Sequence, residues 1–201
     1  MTKTPVVLTI AGTDSGGGAG ASADLKTFAS IGVHGTCAIT SVTSQNTTGV
    51  ISAYDLPSQV VKDQIDALCT DMDVRWAKSG MLASPEIVST VAEYIKKYDL
   101  SLVVDPVMAA EAGGDLLTTD ALSVMRDELL PLCAVVTPNT YEASAISDIT
   151  IEDREDAKRA AKAISDMGVP TVIVTGGHLD ASDVVYESKN NTFTVISGEF
   201  I

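Results

Sequence analysis

Residues 6–24 read VVLTIAGTDSGGGAGASAD. Val6, Val7, Leu8, Thr9 and Ile10 are apolar or β-branched and have the composition of a buried strand. The run passes directly into a loop carrying Gly12, Gly16, Gly17, Gly18 and Gly20. Glycine permits positive φ and close approach of a ligand to the backbone, and the free amides at the start of a following helix are electropositive. A strand, a bare turn and a helix in that order predict a ligand-binding βα junction rather than a surface linker.

Outward from this junction the pattern repeats. Leu25, Phe28 and Ala29 have helical spacing and stop at Gly32. Residues 37–42 (CAITSV) predict a second strand and residues 43–50 (TSQNTTGV) a polar loop at its carboxyl end. Val61, Ile65 and Leu68 mark a helix after Pro57, and residues 74–77 a strand ending in Lys78, Ser79, Gly80 and Met81. Ser84, Pro85 and Glu86 form an N-cap, a first-turn proline and a first-turn acid, which predicts a helix through Ile95. Residues 102–104 form a short strand with Asp105 at its end, and a loop with Gly113 and Gly114 leads to a helix through Leu122, Met125 and Leu129. The strand 134–137 stops at Pro138 and Asn139; a helix over about 153–167 and the strand 171–175 follow, then Gly176 and Gly177. Residues 184–187 and 192–196 flank a turn at Lys189, Asn190 and Asn191 and read as a hairpin.

Alternation at this interval predicts an α/β fold with a mostly parallel sheet covered on both faces, in one domain spanning 1–201. In such sheets ligands sit outside the carboxyl ends of the strands, so the polar clusters converge on one cleft.

Composition excludes several classes. With 13 Lys and Arg against 27 Asp and Glu, the formal charge is -14, and the chain lacks the basic face that nucleic-acid binding requires. Three dispersed cysteines, Cys37, Cys69 and Cys133, argue against a disulfide framework or zinc site and for a reducing compartment. No basic N-terminal segment precedes an apolar run, and no apolar run approaches the roughly 18 residues of a membrane span, so a soluble cytoplasmic protein is expected. The glycine loop lacks the G-K-[ST] of a P-loop. It holds a loose G-x-G-x-x-A at Gly16, Gly18 and Ala21, but Ser44, Gln45 and Asn46 stand where a dinucleotide site wants an acid. Lys78 reads as structural, and His34 and His178 have no metal spacing.

Six colinear segments, TIAGTDSGGGAGASADLKTF, ITSVTSQNTTGV, KSGML, VVDPVM, LLPLCAVVTPNTYEA and VIVTGGH, resemble the hydroxymethylpyrimidine/phosphomethylpyrimidine kinases of thiamine biosynthesis, within the ribokinase-like family. The resemblance runs from about Val6 to His178 and implies a three-layer α/β/α sandwich, ATP and Mg²⁺ as cofactors, and a small pyrimidine as substrate. It places Gly12, Asp24, Gln45, Met81 and Val107 at the pyrimidine. Asp24 would accept from the exocyclic amine, and Gln45 offers a donor and an acceptor. It places Asp105 near the metal and phosphates as a catalytic acid, Glu142 with Asp105 at the metal, and Asn139, Thr175 and Gly177 at the nucleotide. Many relatives have lysine at the position of Thr175. Plainer readings stand beside each: Asp24 complementing a helix terminus, Gln45 in a solvated turn, Met81 and Val107 in the core, Asn139 as a turn residue after Pro138 and Glu142 as a first-turn helix acid.

Relatives continue into a G-T-G-[CD] segment that forms an anion hole and supplies the base; the 201 residues do not contain it, which implies a fragment or a natural truncation with severely impaired turnover. Members of the family often form homodimers. Pyridoxal kinase activity, a non-catalytic pyrimidine-binding module and a nicotinamide-dependent oxidoreductase are the alternatives.

Overall fold

The computed structural model describes residues 4–108, 118–177, 179 and 181–198. The loop expected at Gly113 and Gly114, and His178, lie outside them. In chain order the elements are β1 (Val6–Ala11), α1 (Gly20–Ser30), β2 (His34–Ile39), β3 (Ser41–Asn46), β4 (Gly49–Asp55), α2 (Ser58–Cys69), β5 (Val74–Ser79), α3 (Pro85–Tyr98) and β6 (Ser101–Val104). They continue with α4 (Thr119–Val124), extended by a π-turn to Leu129 and a 3-10 turn to Leu132, then β7 (Cys133–Val136), α5 (Thr140–Ser147), α6 (Arg154–Ser165), β8 (Thr171–Val174), β9 (Ser182–Glu187) and β10 (Thr192–Ser197).

Eight strands form one sheet in the order β10-β9-β8-β7-β6-β5-β1-β2. The six from β8 to β2 are parallel, and β9 and β10 add an antiparallel hairpin at one edge. Strand order reverses beside β1, whose successor β2 lies on one side and β5 on the other. Two βα turns diverge at such a reversal and leave a crevice between them.

The two faces of the sheet differ. Leu8, Ile10, Ala77, Leu102, Val104, Val136, Val172, Val174 and Val184 are at most 1% exposed and pack beneath the helices that follow β4. On the other face α1 covers β1 and β2. Gly35 shows how closely: a Cβ there would come within 3.0 Å of Phe28 and Leu25 of α1. Trp76, Val103, Val135, Ile173 and Val185, all in register with the α1 side, are only half-buried or exposed. Among the described residues α1 is the helix packed on that side.

Two expectations are corrected. Residues 37–42 are not one strand: β2 ends at Ile39 and β3 begins at Ser41, after Thr40, whose hydroxyl donates to the Met81 carbonyl at 2.8 Å. Residues 43–50 are not a loop but the end of β3, a turn at Thr47 and Thr48 and the start of β4, which pair as an antiparallel two-stranded sheet. Asn46 Oδ1 closes the turn, accepting from the Thr48 amide (2.9 Å) and hydroxyl (2.7 Å) and from the Gly49 amide (3.1 Å). The helix α5 is absent from the expected order of elements, and only the plain reading of Glu142 as a first-turn acid points to it.

Candidate active site

A cleft of about 900 Å³ opens over the carboxyl ends of β1, β5, β6, β7 and β8, with the β3–β4 hairpin as a side wall. Its volume suits a small molecule together with part of a nucleotide.

The glycine loop forms one end. Asp14, buried at 8% exposure, turns its carboxylate back into the loop and accepts from the amides of Gly16 (2.7 Å), Gly18 (2.9 Å) and Ala19 (2.9 Å). Burial alone would raise its pKa, but these amides and that of Gly17 outweigh it and hold the carboxyl below its ordinary range. The Ala21 amide donates to the Gly12 carbonyl at 2.9 Å. The amides expected to be bare are therefore largely taken, and the loop is a preformed wall rather than an open anion cradle. Asp14 was legible as an Asx turn before glycines but was not singled out.

The hairpin is laced to this loop. The Thr43 hydroxyl donates to the Thr13 carbonyl (2.7 Å), the Thr13 amide to the Ser41 carbonyl (2.8 Å), and Ser15 Oγ both donates to the Gln45 carbonyl (2.6 Å) and accepts from its amide (2.8 Å). This brings Gln45, with Asn46 and Thr47, over the cleft. Gly12 lies opposite, where a Cβ would stand 3.2 Å from Met81 Sδ. Met81 and Val107 line the same pocket.

Asp24 lies behind this wall. From α1 its carboxylate accepts from Thr9 Oγ1 (2.6 Å) and Lys78 Nζ (3.2 Å), and it does not line the cleft. Lys78 does line it, and its Nζ is also 3.3 Å from Asp105 Oδ2. Asp105 stands at the end of β6, its amide bonded to the Ser79 carbonyl at 3.0 Å and its side chain 36% exposed to the cleft.

The far end is built by β7, α5 and β8. Asn139 caps α5: its side chain accepts from the Glu142 amide (2.9 Å), while Glu142 Oε2 accepts from the Asn139 amide (2.8 Å). Such a reciprocal box satisfies two otherwise orphaned amides. Glu142 Oε1 faces the Met108 amide at 3.4 Å. Burial pushes the Glu142 carboxyl up and the nearby Asp105 charge adds to this, against the two amides. Thr175 joins Asn139 in a parallel bridge and lines the cleft; Gly177 is exposed beyond it, and the Gly176 amide is held by Asp183 Oδ1 at 3.0 Å.

Gly12, Gln45, Met81, Val107, Asp105, Asn139, Glu142 and Thr175 thus share one cleft, whereas Asp24 and Gly177 lie outside its lining. Asp14, Lys78 and Thr137 line it without having been singled out for a role there. Among the described residues no group of three His, Cys, Asp or Glu is arranged to hold a metal, and no helix is long and apolar enough to cross a membrane. A cleft-facing carboxylate, Asp105, beside a buried one, Glu142, still suits Mg²⁺, which takes one or two carboxylates and completes its shell with water and phosphate oxygens.

The family model described as phosphomethylpyrimidine kinase matches residues 14–201. The chain is 50% identical over 181 residues to a hydroxymethylpyrimidine/phosphomethylpyrimidine kinase of Mycobacterium bovis; the match covers 89% of this chain and 66% of that protein, just under two thirds of its length. A crystal structure of phosphomethylpyrimidine kinase from Clostridium difficile 630 superposes with a TM-score of 0.89 at 43% identity, covering 98% of this chain and 86% of that one. The pyridoxal kinase of Staphylococcus aureus in complex with AMP-PCP and pyridoxal superposes with a TM-score of 0.86 at 34% identity, covering 96% and 71%. The fold is the α/β fold of these kinases, and the chain belongs to the phosphomethylpyrimidine kinase family.

Proposed function

We propose that the protein transfers the γ-phosphoryl of ATP to the hydroxymethyl group of 4-amino-5-hydroxymethyl-2-methylpyrimidine, and then to its monophosphate, in thiamine biosynthesis. The observation that carries this is the shared rim: Gln45, Met81 and Val107 meet Asp105, Asn139, Glu142 and Thr175 across one cleft at the strand-order reversal. Phosphoryl transfer depends on positioning and charge stabilisation more than on covalent chemistry, and a cleft with an apolar end and a polar end provides the positioning.

In this reading Met81 and Val107 flank the ring, Gly12 keeps the wall thin, and the Gln45 amide meets the ring nitrogen and amine edge. Asp24 acts from behind, through Lys78, rather than by touching the ring. Asn139, Thr175 and Gly177 border the nucleotide. Asp105 and Glu142, the latter already engaged by two amides, would be the carboxylates that hold Mg²⁺. The metal would supply neutralisation of the phosphate charges. Similarity to a pyridoxal kinase solved with AMP-PCP and pyridoxal supports ATP as donor and keeps pyridoxal as the second reading.

The test is ADP release with each acceptor, from a protein that carries the G-T-G-[CD] segment of the relatives. Turnover of the hydroxymethylpyrimidine and of its monophosphate, with pyridoxal much slower, is expected; efficient turnover of pyridoxal alone would replace the substrate assignment.

A further inference from the structure

Lys78 has no part in the reading above beyond its tie to Asp24, yet it is the one cation among the described residues lining the cleft. The charged groups around it are Asp14, Asp105 and Glu142 in the wall and Asp24 behind it. An enzyme of this proposed function must bring phosphate groups into that acidic enclosure. Most of the glycine-loop amides are already engaged, because Asp14 holds those of Gly16, Gly18 and Ala19, the Asp14 carbonyl that of Gly17 and the Gly12 carbonyl that of Ala21.

We propose that Lys78 is a catalytic residue whose ammonium meets the oxygens of the phosphate groups in the cleft. The inference rests on the kinase reading of the site. An ammonium has three donors. One is spent on Asp24 at 3.2 Å, itself anchored by Thr9, and a second faces Asp105 at 3.3 Å. The third is taken by none of the described side chains, and the residue lines the cleft with 22% of its side chain exposed. Asp24 acts as the positioning residue that holds the ammonium at the edge of the cleft and stops it from swinging into solvent. Gly80 leaves the room this needs, since a Cβ there would come 3.1 Å from Lys78 Nζ. Lys78 forms no covalent bond; it stabilises negative charge that already exists on the substrates and is redistributed in transfer.

The test separates charge from shape. Binding to the full chain is measured by calorimetry for the neutral hydroxymethylpyrimidine, its monophosphate, and AMP-PCP with magnesium, in wild type and Lys78→Met. The variant is expected to bind the neutral alcohol within about twofold of wild type and the phosphate-bearing ligands about tenfold to hundredfold more weakly. Weakening confined to the monophosphate assigns the lysine to the acceptor's phosphate, and weakening confined to AMP-PCP assigns it to the nucleotide. Equal affinities in variant and wild type, or an equal loss for neutral and charged ligands, overturn the proposal. Should Lys78→Met fail to fold, acylation of wild type by an amine-reactive ester, read at Lys78 by mass spectrometry, decides. Protection by the monophosphate or AMP-PCP supports the role, and labelling undiminished by either overturns it. A wild type that binds AMP-PCP but not the pyrimidine counts against the pyrimidine substrate alone, while the nucleotide arm still decides Lys78.

Discussion

Asp14 and Glu142 are both buried carboxylates, and their surroundings drive them in opposite directions. Asp14 collects amides, so its folded pKa lies below the ordinary 3.8; its contribution to stability is complete above that value and is lost as pH falls through the lowered one. Asp14→Ala leaves three amides without their acceptor and is expected to cost about 2 kcal/mol or more, a fall in Tm of several degrees by calorimetry at pH 7 that narrows in strong acid. Glu142 is raised above its ordinary 4.5, chiefly by burial, so ionising it costs folding free energy as pH climbs through the interval between the two values. Glu142→Gln removes that cost and keeps an acceptor for the helix start. Its Tm at pH 7 is expected to equal or exceed wild type while turnover drops sharply, a separation that structural damage would not give. Cys133, its thiol pushed up to about 12 by burial, is inert filling.

The start of α1 and the hairpin show how element geometry serves the cleft. Gly20 has φ +57°, and a Cβ there would lie 2.4 Å from the Gly12 carbonyl. Gly20→Ala is expected to destabilise by about 1–3 kcal/mol in urea titration and to weaken substrate binding, because relief requires moving the Gly12 wall. The β3–β4 pair escaped sequence reading for a physical reason. TSQNTTGV carries no apolar alternation, since its partners are backbone and hydroxyl groups of the glycine loop rather than a hydrophobic core. Only the β-branched residues flanking Asn46 and Gly49 marked it. By contrast, the N-cap, proline and acid at residues 84–86 lie within the segment they organise, and α3 appears where they place it, with Ser84 Oγ accepting from the Ile87 amide. The helix α5 was hidden by its length of eight residues and its low amphipathicity, although Asn139 and Glu142 spell its capping box.

The sheet as assembled is asymmetric, and this sets where substitutions hurt. Leu102→Ala, on the side beneath α3, is expected to cost about 2–5 kcal/mol, and Val103→Ala, its neighbour on the half-covered side, less than half as much, as urea denaturation will measure. Strand periodicity, helix caps and glycine stops are local, so the order of strands and helices, the parallel sheet and the convergence of polar clusters at its carboxyl ends could be read from the chain. Contacts between distant segments could not. That Asp24 stands behind the wall and that Lys78 joins Asp24 to Asp105 depend on pairing β1 with β5 and β5 with β6. Side-chain partners 54 residues apart, as Asp24 and Lys78 are, meet only once the sheet register is set, and register is a property of the packed sheet, not of any one strand.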